Sequence, residues 1–281
     1  MHEVCRLKNR VLDPGFYFNM TTDFSWLGRT ELLIGKAGLT QLAQSHVMVV
    51  GLGGVGSYAA EFIARSGVGK MTIIDGDVVD PTNRNRQLPA LATNHGMPKA
   101  DIMAERLKAI NPELELKVVK SFINPGMVEE LIQAKPDYII DAIDSITPKL
   151  TFISMAYQQQ LRLISSMGAG AKFDPTKLQV VDISKTIICP FAQQVRKSLK
   201  RKFNIRSGFK VVFSAEEPVK ESLMLTDGSN YKKSAYGTIS YLPAVFGAVC
   251  ASVVIRDLIG VEIPAGVVPE KRKIKNGNAK Q

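Results

Sequence analysis

A glycine-rich turn between a predicted buried strand and a predicted helix is the feature that most constrains the fold. In the segment HVMVVGLGGVGSYAAEFIAR, an apolar run leads into the turn and apolar residues at helical spacing follow it. Such a run is typical of a strand that is buried on both faces of a parallel sheet. Glycines let the backbone approach a phosphate, and the N-terminus of the next helix favours negative charge. The pattern therefore predicts a nucleotide-binding turn that contains Gly51, Gly53, Gly54 and Gly56.

Strand and helix patterns alternate from this turn to residue 170. The alternation predicts an α/β fold, namely a Rossmann-like, doubly wound and mainly parallel sheet with helices on both faces, followed by a C-terminal α+β extension. Ligands of such sheets bind outside the carboxyl ends of the strands. We therefore expect the side chains that follow the predicted strands to converge on one site.

The pattern divides the chain into four regions. They are an N-terminal arm at 1–28, a nucleotide-binding core at 29–170, a C-terminal extension at 171–265 and a basic, flexible tail at 266–281.

Three segments of the extension carry structural predictions of their own. The segment AKFDPTKLQVVDIS at 171–184 predicts a β-hairpin with a proline-containing turn, and 190–203 predicts an amphipathic helix with a basic outer face. The uncharged stretch 237–255 nearly reaches the length of a membrane span. A buried helix is favoured there, because the stretch contains Pro243 and Gly247 and runs into charged residues.

The segment DGDVVDPTNRNRQ, after the second predicted strand, distinguishes between nucleotides. Asp75 falls where an acid would accept hydrogen bonds from ribose hydroxyls. Arg84, Arg86 and Lys99 can neutralise phosphates, whereas Asp77 and Asp144 offer the oxygen ligands that Mg²⁺ prefers. A dinucleotide dehydrogenase does not require these charged groups, so a nucleoside triphosphate is favoured over NAD(P) as the ligand. A solvated charged loop stays open as the alternative for this segment.

The cysteines argue against two kinds of site. Cys5, Cys189 and Cys250 are far apart and odd in number, which is untypical of a disulfide framework and fits a reducing compartment. No C-x-x-C pair occurs, so no structural zinc site is predicted. Cys189 precedes the basic helix and is the one candidate for a reactive thiol. A small, partly buried side chain is the favoured interpretation of it.

Several segments together resemble the ThiF/MoeB-type adenylating enzymes of the ubiquitin-activating superfamily. They are GLGGVGS at 51–57, DGDVVDPTNRNRQ at 75–87, the later Lys99 and DAID at 141–144. Further segments, among them DAIDSITPKL and SSMGAGAKFDPTKLQVVDISKT, resemble the branch of tRNA threonylcarbamoyladenosine dehydratases. Members of that branch use ATP to cyclise the threonylcarbamoyl side chain of an adenosine at position 37 of certain tRNAs.

The resemblance implies roles for individual residues of this chain. The glycine turn would lie against the ATP phosphates and Asp75 would hold the ribose. Asn83, Arg86 and Lys99 would contact the phosphates, and Asp144, with Asp77, would position Mg²⁺. Arg29 would reach into the site of a neighbouring subunit, which implies a homodimer. The catalytic set implied in this way is Arg86, Lys99, Asp144 and Arg29.

The formal net charge of +10 is clustered in the segment RKSLKRKFNIR and in the tail. Such clusters attract polyanions, and the resemblance makes tRNA the expected one. The residues expected to meet RNA phosphates are Arg196, Lys197, Lys200, Arg201 and Lys202. A solvated helix face is the alternative interpretation.

The chemistry that the resemblance implies has two steps. The substrate carboxylate attacks the α-phosphate of ATP, and the acyl-adenylate then closes a ring and expels AMP. We expect a cytoplasmic enzyme without stable membrane insertion. Peripheral membrane attachment and a sulfur-relay or reductase partner protein are left open.

Three rival functions remain at this stage. One is an adenylyltransferase that activates the C-terminus of a ubiquitin-like sulfur carrier protein, which would require a working cysteine. The others are an NAD(P) oxidoreductase and a non-catalytic RNA-binding adaptor.

Overall fold

A mainly parallel α/β sheet with helices on both faces forms the part of the chain that the computed structural model describes, residues 25–225 and 234–261. This confirms the predicted fold class. The predicted tail at 266–281, most of the predicted arm at 1–28 and Cys5 lie outside the described residues. The boundary predicted at residue 170 falls between strands of one and the same sheet.

Strands and helices alternate along the first two thirds of the chain. The strands are β1 His46–Val50, β2 Lys70–Ile74, β3 Glu115–Val119, β4 Tyr138–Asp141, β5 Leu163–Ser166, β6 Leu178–Asp182, β7 Lys210–Ser214, β8 Leu223–Leu225 and β9 Ser234–Tyr236. The helices are α1 Gly28–Ala43, α2 Gly56–Arg65, α3 Lys99–Ile110, α4 Pro125–Gln133, α5 Ile146–Gln158, α6 Pro190–Phe203 and α7 Tyr241–Ile259.

The main sheet has seven strands in the order β3-β2-β1-β4-β5-β7-β6. All neighbouring pairs are parallel except β6 and β7. The chain therefore reverses its direction of travel across the sheet between β1 and β4, which is where a doubly wound sheet opens a crevice for a ligand.

The hairpin predicted at 171–184 is wrong. Only β6 forms in that segment, after a short 3₁₀ helix at Pro175–Lys177, and it pairs with β7 on the far side of α6. The strand β7 has the apolar sequence VVF at its centre, so it offers a buried edge to which β6 can add. Hydrogen bonding to a distant strand thus replaced the local turn.

Two hydrophobic cores cover the two faces of the sheet. Residues of β1 alternate between them, with Val47 and Val49 in one core and Met48 and Val50 in the other. Helices α1, α2, α3 and α7 contribute to the first core, and α4, α5 and α6 to the second. This packing fixes the ends of the central strands, and with them the loops that carry the predicted site.

Helix α7 accounts for the uncharged stretch. Among the described residues it is the one helix that is long and apolar enough to cross a membrane. Its side chains Leu242, Phe246, Cys250 and Val254 are fully buried in the first core, with 0% of their surface exposed. The buried-helix interpretation therefore agrees with the packing.

Candidate active site

A cavity of about 1110 Å³ lies at the carboxyl ends of the central strands. The loops that follow β1, β2, β4 and β5 form its walls, and one face of α6, from Pro190 to Lys202, closes one side. The predicted site residues that line it are Gly51, Gly53, Gly54, Asp75, Asp77, Arg86, Lys99, Asp144, Arg201 and Lys202. Residues that are up to 151 positions apart in sequence are thus brought to one cleft, and among them are the glycine turn, Asp75, Asp77 and Asp144, which the strand-end argument predicted to converge.

The glycine turn is built to bring the backbone close to itself. Gly51 has a φ of +87°, a conformation that L-residues rarely adopt. A Cβ atom on Gly56 would lie 1.7 Å from the carbonyl oxygen of Gly51. These two glycines are therefore required by the turn, whereas Gly53 and Gly54 present backbone to the cavity. Helix α2 begins at Gly56, directly after the part of the turn that lines the cavity.

Asp75 connects the glycine turn to the end of β2. Its carboxylate accepts hydrogen bonds from the backbone N–H of Leu52 at 2.6 Å and of Asp77 at 2.7 Å. Burial raises the pKa of Asp75, although the neighbouring charge of Lys99 acts against this shift. A carboxylate has further lone pairs, so Asp75 can hold the turn in place and still accept a hydrogen bond from a ribose hydroxyl.

Lys99 and Asp77 form an ion pair at the mouth of the cleft, with 3.0 Å between Nζ and Oδ2. The Lys99 side chain is only 5% exposed, whereas that of Asp77 is 44% exposed. The backbone N–H of Lys99 also donates to the carbonyl of Asp77 at 3.0 Å. Since an ammonium has three donors, Lys99 keeps the capacity to bind a phosphate. The carboxylate of Asp77, in contrast, is already paired with a cation, the ammonium of Lys99.

Arg86 lines the cleft together with Asp144, which follows β4. Its guanidinium donates to the carbonyl of Thr82 at 3.1 Å and to Oδ1 of Asn85 at 2.9 Å. Burial lowers the pKa of Arg86, and the charge of Asp144 opposes that shift. Arg86 and Asp144 are therefore electrostatic neighbours that line one cavity.

Four residues predicted for the nucleotide site do not line the cavity, namely Gly56, Arg84, Asn83 and Arg29. Asn83 is buried and its side-chain oxygen accepts a hydrogen bond from the backbone of Asp80 at 3.2 Å, so it caps the short helix that precedes Arg86. Arg29 is exposed near the start of α1. The roles predicted for them, phosphate contact for Asn83 and action on a neighbouring subunit for Arg29, stay predictions.

Sequence reasoning missed the buried charges beneath the cleft. Lys149 lies 2.8 Å from Asp141, and both side chains are 0% exposed. Lys149 also donates to the carbonyl of Ile143 at 3.0 Å, while Asp141 accepts from the N–H of Ile143 and from the hydroxyl of Ser165. The loop that carries Asp144 is therefore held at Ile143 from both sides. The DAID motif contained Asp141, but nothing in the sequence pattern paired it with a lysine eight positions later.

The predicted RNA-binding residues of α6 fall into two groups. Lys197, Lys200, Arg201 and Lys202 are exposed. Arg196 is half-buried, and its guanidinium donates to the backbone carbonyl of Thr186 at 2.9 Å and to the hydroxyl of the same residue. Only the first group has its charges directed to solvent.

Cys189 is 2% exposed at the start of α6, where it borders the cleft. No group of three or more histidine, cysteine, aspartate or glutamate side chains that could hold a metal ion occurs within residues 25–225 and 234–261. A bound Mg²⁺ would thus depend on one or two carboxylates together with phosphate oxygens, which is the usual arrangement at nucleotide sites.

Known proteins match this chain over most of its length. The ThiF family model matches residues 27–277. The tRNA threonylcarbamoyladenosine dehydratase of Bacillus subtilis (strain 168) is 42% identical over 238 residues, which cover 82% of this chain and 93% of that protein. The enzyme of the same name from Escherichia coli (strain K12) is 38% identical over 248 residues, with 83% and 92% covered.

Solved structures agree with these matches. The crystal structure of E. coli tRNA N6-threonylcarbamoyladenosine dehydratase, TcdA, in complex with AMP has a TM-score of 0.77 and 38% identity to this chain, and the match covers 85% of this chain and 96% of that one. The same E. coli protein in complex with ATP matches with the same TM-score.

Proposed function

This chain belongs to the ThiF family and, within it, to the tRNA threonylcarbamoyladenosine dehydratases, and from that premise we propose how its cleft performs the reaction. The protein is an ATP-dependent tRNA-modifying enzyme that adenylates the carboxylate of threonylcarbamoyladenosine and promotes its cyclisation. The observation that carries the assignment of roles is the cavity in which the glycine turn, two basic side chains and Asp144 meet the basic helix α6.

The first step forms the acyl-adenylate. An oxygen of the substrate carboxylate attacks the α-phosphorus of ATP, and the bond to the bridging oxygen of pyrophosphate breaks. Arg86 and Lys99 stabilise the negative charge that develops on the phosphates, because both are cations partly withdrawn from water. Asp144 would hold Mg²⁺ together with phosphate oxygens, and the ion would supply further charge neutralisation. Asp77 supports this set through its ion pair with Lys99.

The second step needs no protein nucleophile. A neighbouring group of the carbamoyl unit attacks the activated carbonyl carbon, and AMP departs with the oxygen that would otherwise leave as water. The attack is intramolecular, so proximity lowers its barrier. The burial of Cys189 supports this route over a thioester intermediate.

The partners follow from the substrate. tRNA binds with its phosphates against Lys197, Lys200, Arg201 and Lys202, two of which also border the cleft. A homodimer would allow the exposed Arg29 to reach the cleft of a second subunit. We place the enzyme in the cytoplasm, where its tRNA substrate is found.

The test is mass spectrometry of nucleosides from tRNA that carries threonylcarbamoyladenosine, after incubation with the enzyme and ATP. We expect the modified nucleoside to lose the mass of one water, with AMP and pyrophosphate formed in equal amounts. Incubation without ATP is the control. ATP–pyrophosphate exchange that requires a small protein ending in Gly-Gly, with tRNA left unchanged, would overturn the proposal.

A further inference from the structure

Three lysines of the described chain are almost fully buried, and one of them differs from the other two. Lys99, Lys149 and Lys172 are 4%, 0% and 3% exposed. Lys99 is paired with Asp77 and Lys149 with Asp141. Lys172 has no carboxylate within ion-pair distance among residues 25–225 and 234–261, and its ammonium donates to the backbone carbonyl of Gly168 at 3.1 Å.

A buried ammonium is unfavourable when its one partner among residues 25–225 and 234–261 is a neutral acceptor. It has three N–H donors, of which a single carbonyl satisfies one. Burying a charge without a counter-charge costs several kcal/mol unless an anion is supplied. Lys172 and Gly168 both line the cleft, so a ligand in the cleft can supply that anion.

The place where the Lys172 loop leaves the sheet indicates which anion this is. Its loop follows β5, whereas the glycine turn follows β1 and Asp75 follows β2. In the sheet order, β4 with Asp144 lies between β1 and β5. Lys172 therefore faces the cleft next to α6, on the side opposite the predicted ribose and phosphate contacts, which leaves this side to the second substrate.

The backbone around Lys172 is fixed in advance of binding. The N–H of Ala171 donates to the carbonyl of Gly237 at 2.8 Å, and the carbonyl of Ala171 accepts from Val219 at 2.9 Å. On the other side, Glu216 accepts from the N–H of Phe173 at 2.9 Å. Ala171 has a φ of +62°, an uncommon conformation for a residue with a side chain. A loop held so firmly orients its lysine at little entropic cost on binding.

We propose that Lys172 binds the carboxylate of the threonylcarbamoyl group and positions it for attack on the α-phosphate of ATP. The inference rests on the proposed function, because it takes its substrate from there. Lys172 then acts as a specificity-determining residue: it requires an acid at this place and discriminates against a neutral analogue. Once the carboxylate has become the acyl group of the acyl-adenylate, it no longer carries a charge and the ammonium of Lys172 no longer holds it.

The test compares two ligands and two lysines without ATP, so that no reaction occurs. The ligands are an anticodon stem-loop RNA that carries threonylcarbamoyladenosine and the same RNA with its carboxylate converted to a carboxamide. Fluorescence anisotropy measures their binding to the wild type, to Lys172→Met and to Lys177→Met. Lys177 is exposed five positions later and serves as the matched control.

We expect Lys172→Met to weaken binding of the acid about 10- to 100-fold, as loss of a hydrogen bond to a charged group implies. Binding of the carboxamide, affinity for ATP and both affinities of Lys177→Met should stay at wild-type values. Equal losses for acid and amide, no loss for either, or an equal loss of ATP affinity would each overturn the inference. Conversion of modified tRNA by the wild type, followed by mass spectrometry, tests the proposed function independently of Lys172.

Discussion

Lys149 and Asp141 form a fully buried ion pair, 2.8 Å long, directly beneath the loop that carries Asp144. The pair also bonds both backbone groups of Ile143, through the Lys149 ammonium and the Asp141 carboxylate. The pair therefore holds the backbone of Ile143 in place, and with it the position of the next residue, Asp144. The conformation of the cleft floor depends on charges that never touch solvent.

Replacement of Lys149 by methionine should leave Asp141 buried without its cation. We expect the free energy of unfolding to fall by about 3–5 kcal/mol, the usual result of removing one partner of a buried pair. Urea denaturation followed by circular dichroism measures it. Lys117→Met is the control, because the side chain of Lys117 is 53% exposed and lies 3.9 Å from Glu130. Equal stability of Lys149→Met and the control would contradict the assignment.

Arg86 and Asp144 are expected to be essential for the first chemical step. Arg86→Ala and Asp144→Ala should each lower the rate of pyrophosphate release at least about 100-fold, as removal of one charge-stabilising group from an active site does. Arg84→Ala is the matched control, since Arg84 is exposed two positions from Arg86 and does not line the cleft. Circular dichroism checks that each variant is folded. Near-normal turnover of Arg86→Ala or Asp144→Ala would remove that residue from the proposed mechanism.

The parallel sheet and the convergence of the cleft residues could both be predicted from the sequence, since both follow from local patterns. A glycine turn after an apolar run and acids after predicted strands can be recognised one segment at a time, and the strand-end rule then brings them together. Thus Asp75, Asp77 and Asp144 were predicted to meet, and all three line the cleft.

Features that depend on distant pairing could not be predicted in this way. The strand β6 joins β7 across an intervening helix, and Lys149 meets Asp141 only after α5 has packed against the sheet. A buried lysine cannot be told from a surface lysine in the sequence. The spacing of apolar residues identifies the buried face of a helix or strand, but it does not show that a charged side chain is buried in the protein as well. Lys172 escaped notice for the same reason.

The glycine turn allows a matched pair of stability measurements. A Cβ atom on Gly56 would overlap the carbonyl oxygen of Gly51, whereas one on Gly53 would meet Nε2 of Gln87 at an ordinary 3.7 Å. Gly56→Ala should therefore lose about 3 kcal/mol or more of unfolding free energy, since the backbone of the turn has to move. Gly53→Ala should change it by less than about 1 kcal/mol. Equal effects in urea denaturation would refute this account of the turn.

Cys189 provides the test of the thioester route. Cys189→Ser keeps a small side chain at the buried start of α6, so the fold should tolerate it. We expect ring closure to continue at close to the wild-type rate, measured as cyclised nucleoside per AMP released. A variant that still releases pyrophosphate but yields no cyclised product would show that the thiol takes part, and would favour the sulfur-carrier type of mechanism.

The exposed basic residues of α6 should determine how tRNA binding responds to salt. Each phosphate contact that is lost reduces the slope of log affinity against log salt concentration by about 0.7–0.9. Lys197→Ala and Lys200→Ala should each show such a reduction in a filter-binding titration. Arg196→Ala should instead lower stability with little change in slope, because the guanidinium of Arg196 is bonded to Thr186. Lys117→Ala removes the same charge at the opposite edge of the sheet, and an equal change of slope there would argue against a tRNA surface on α6.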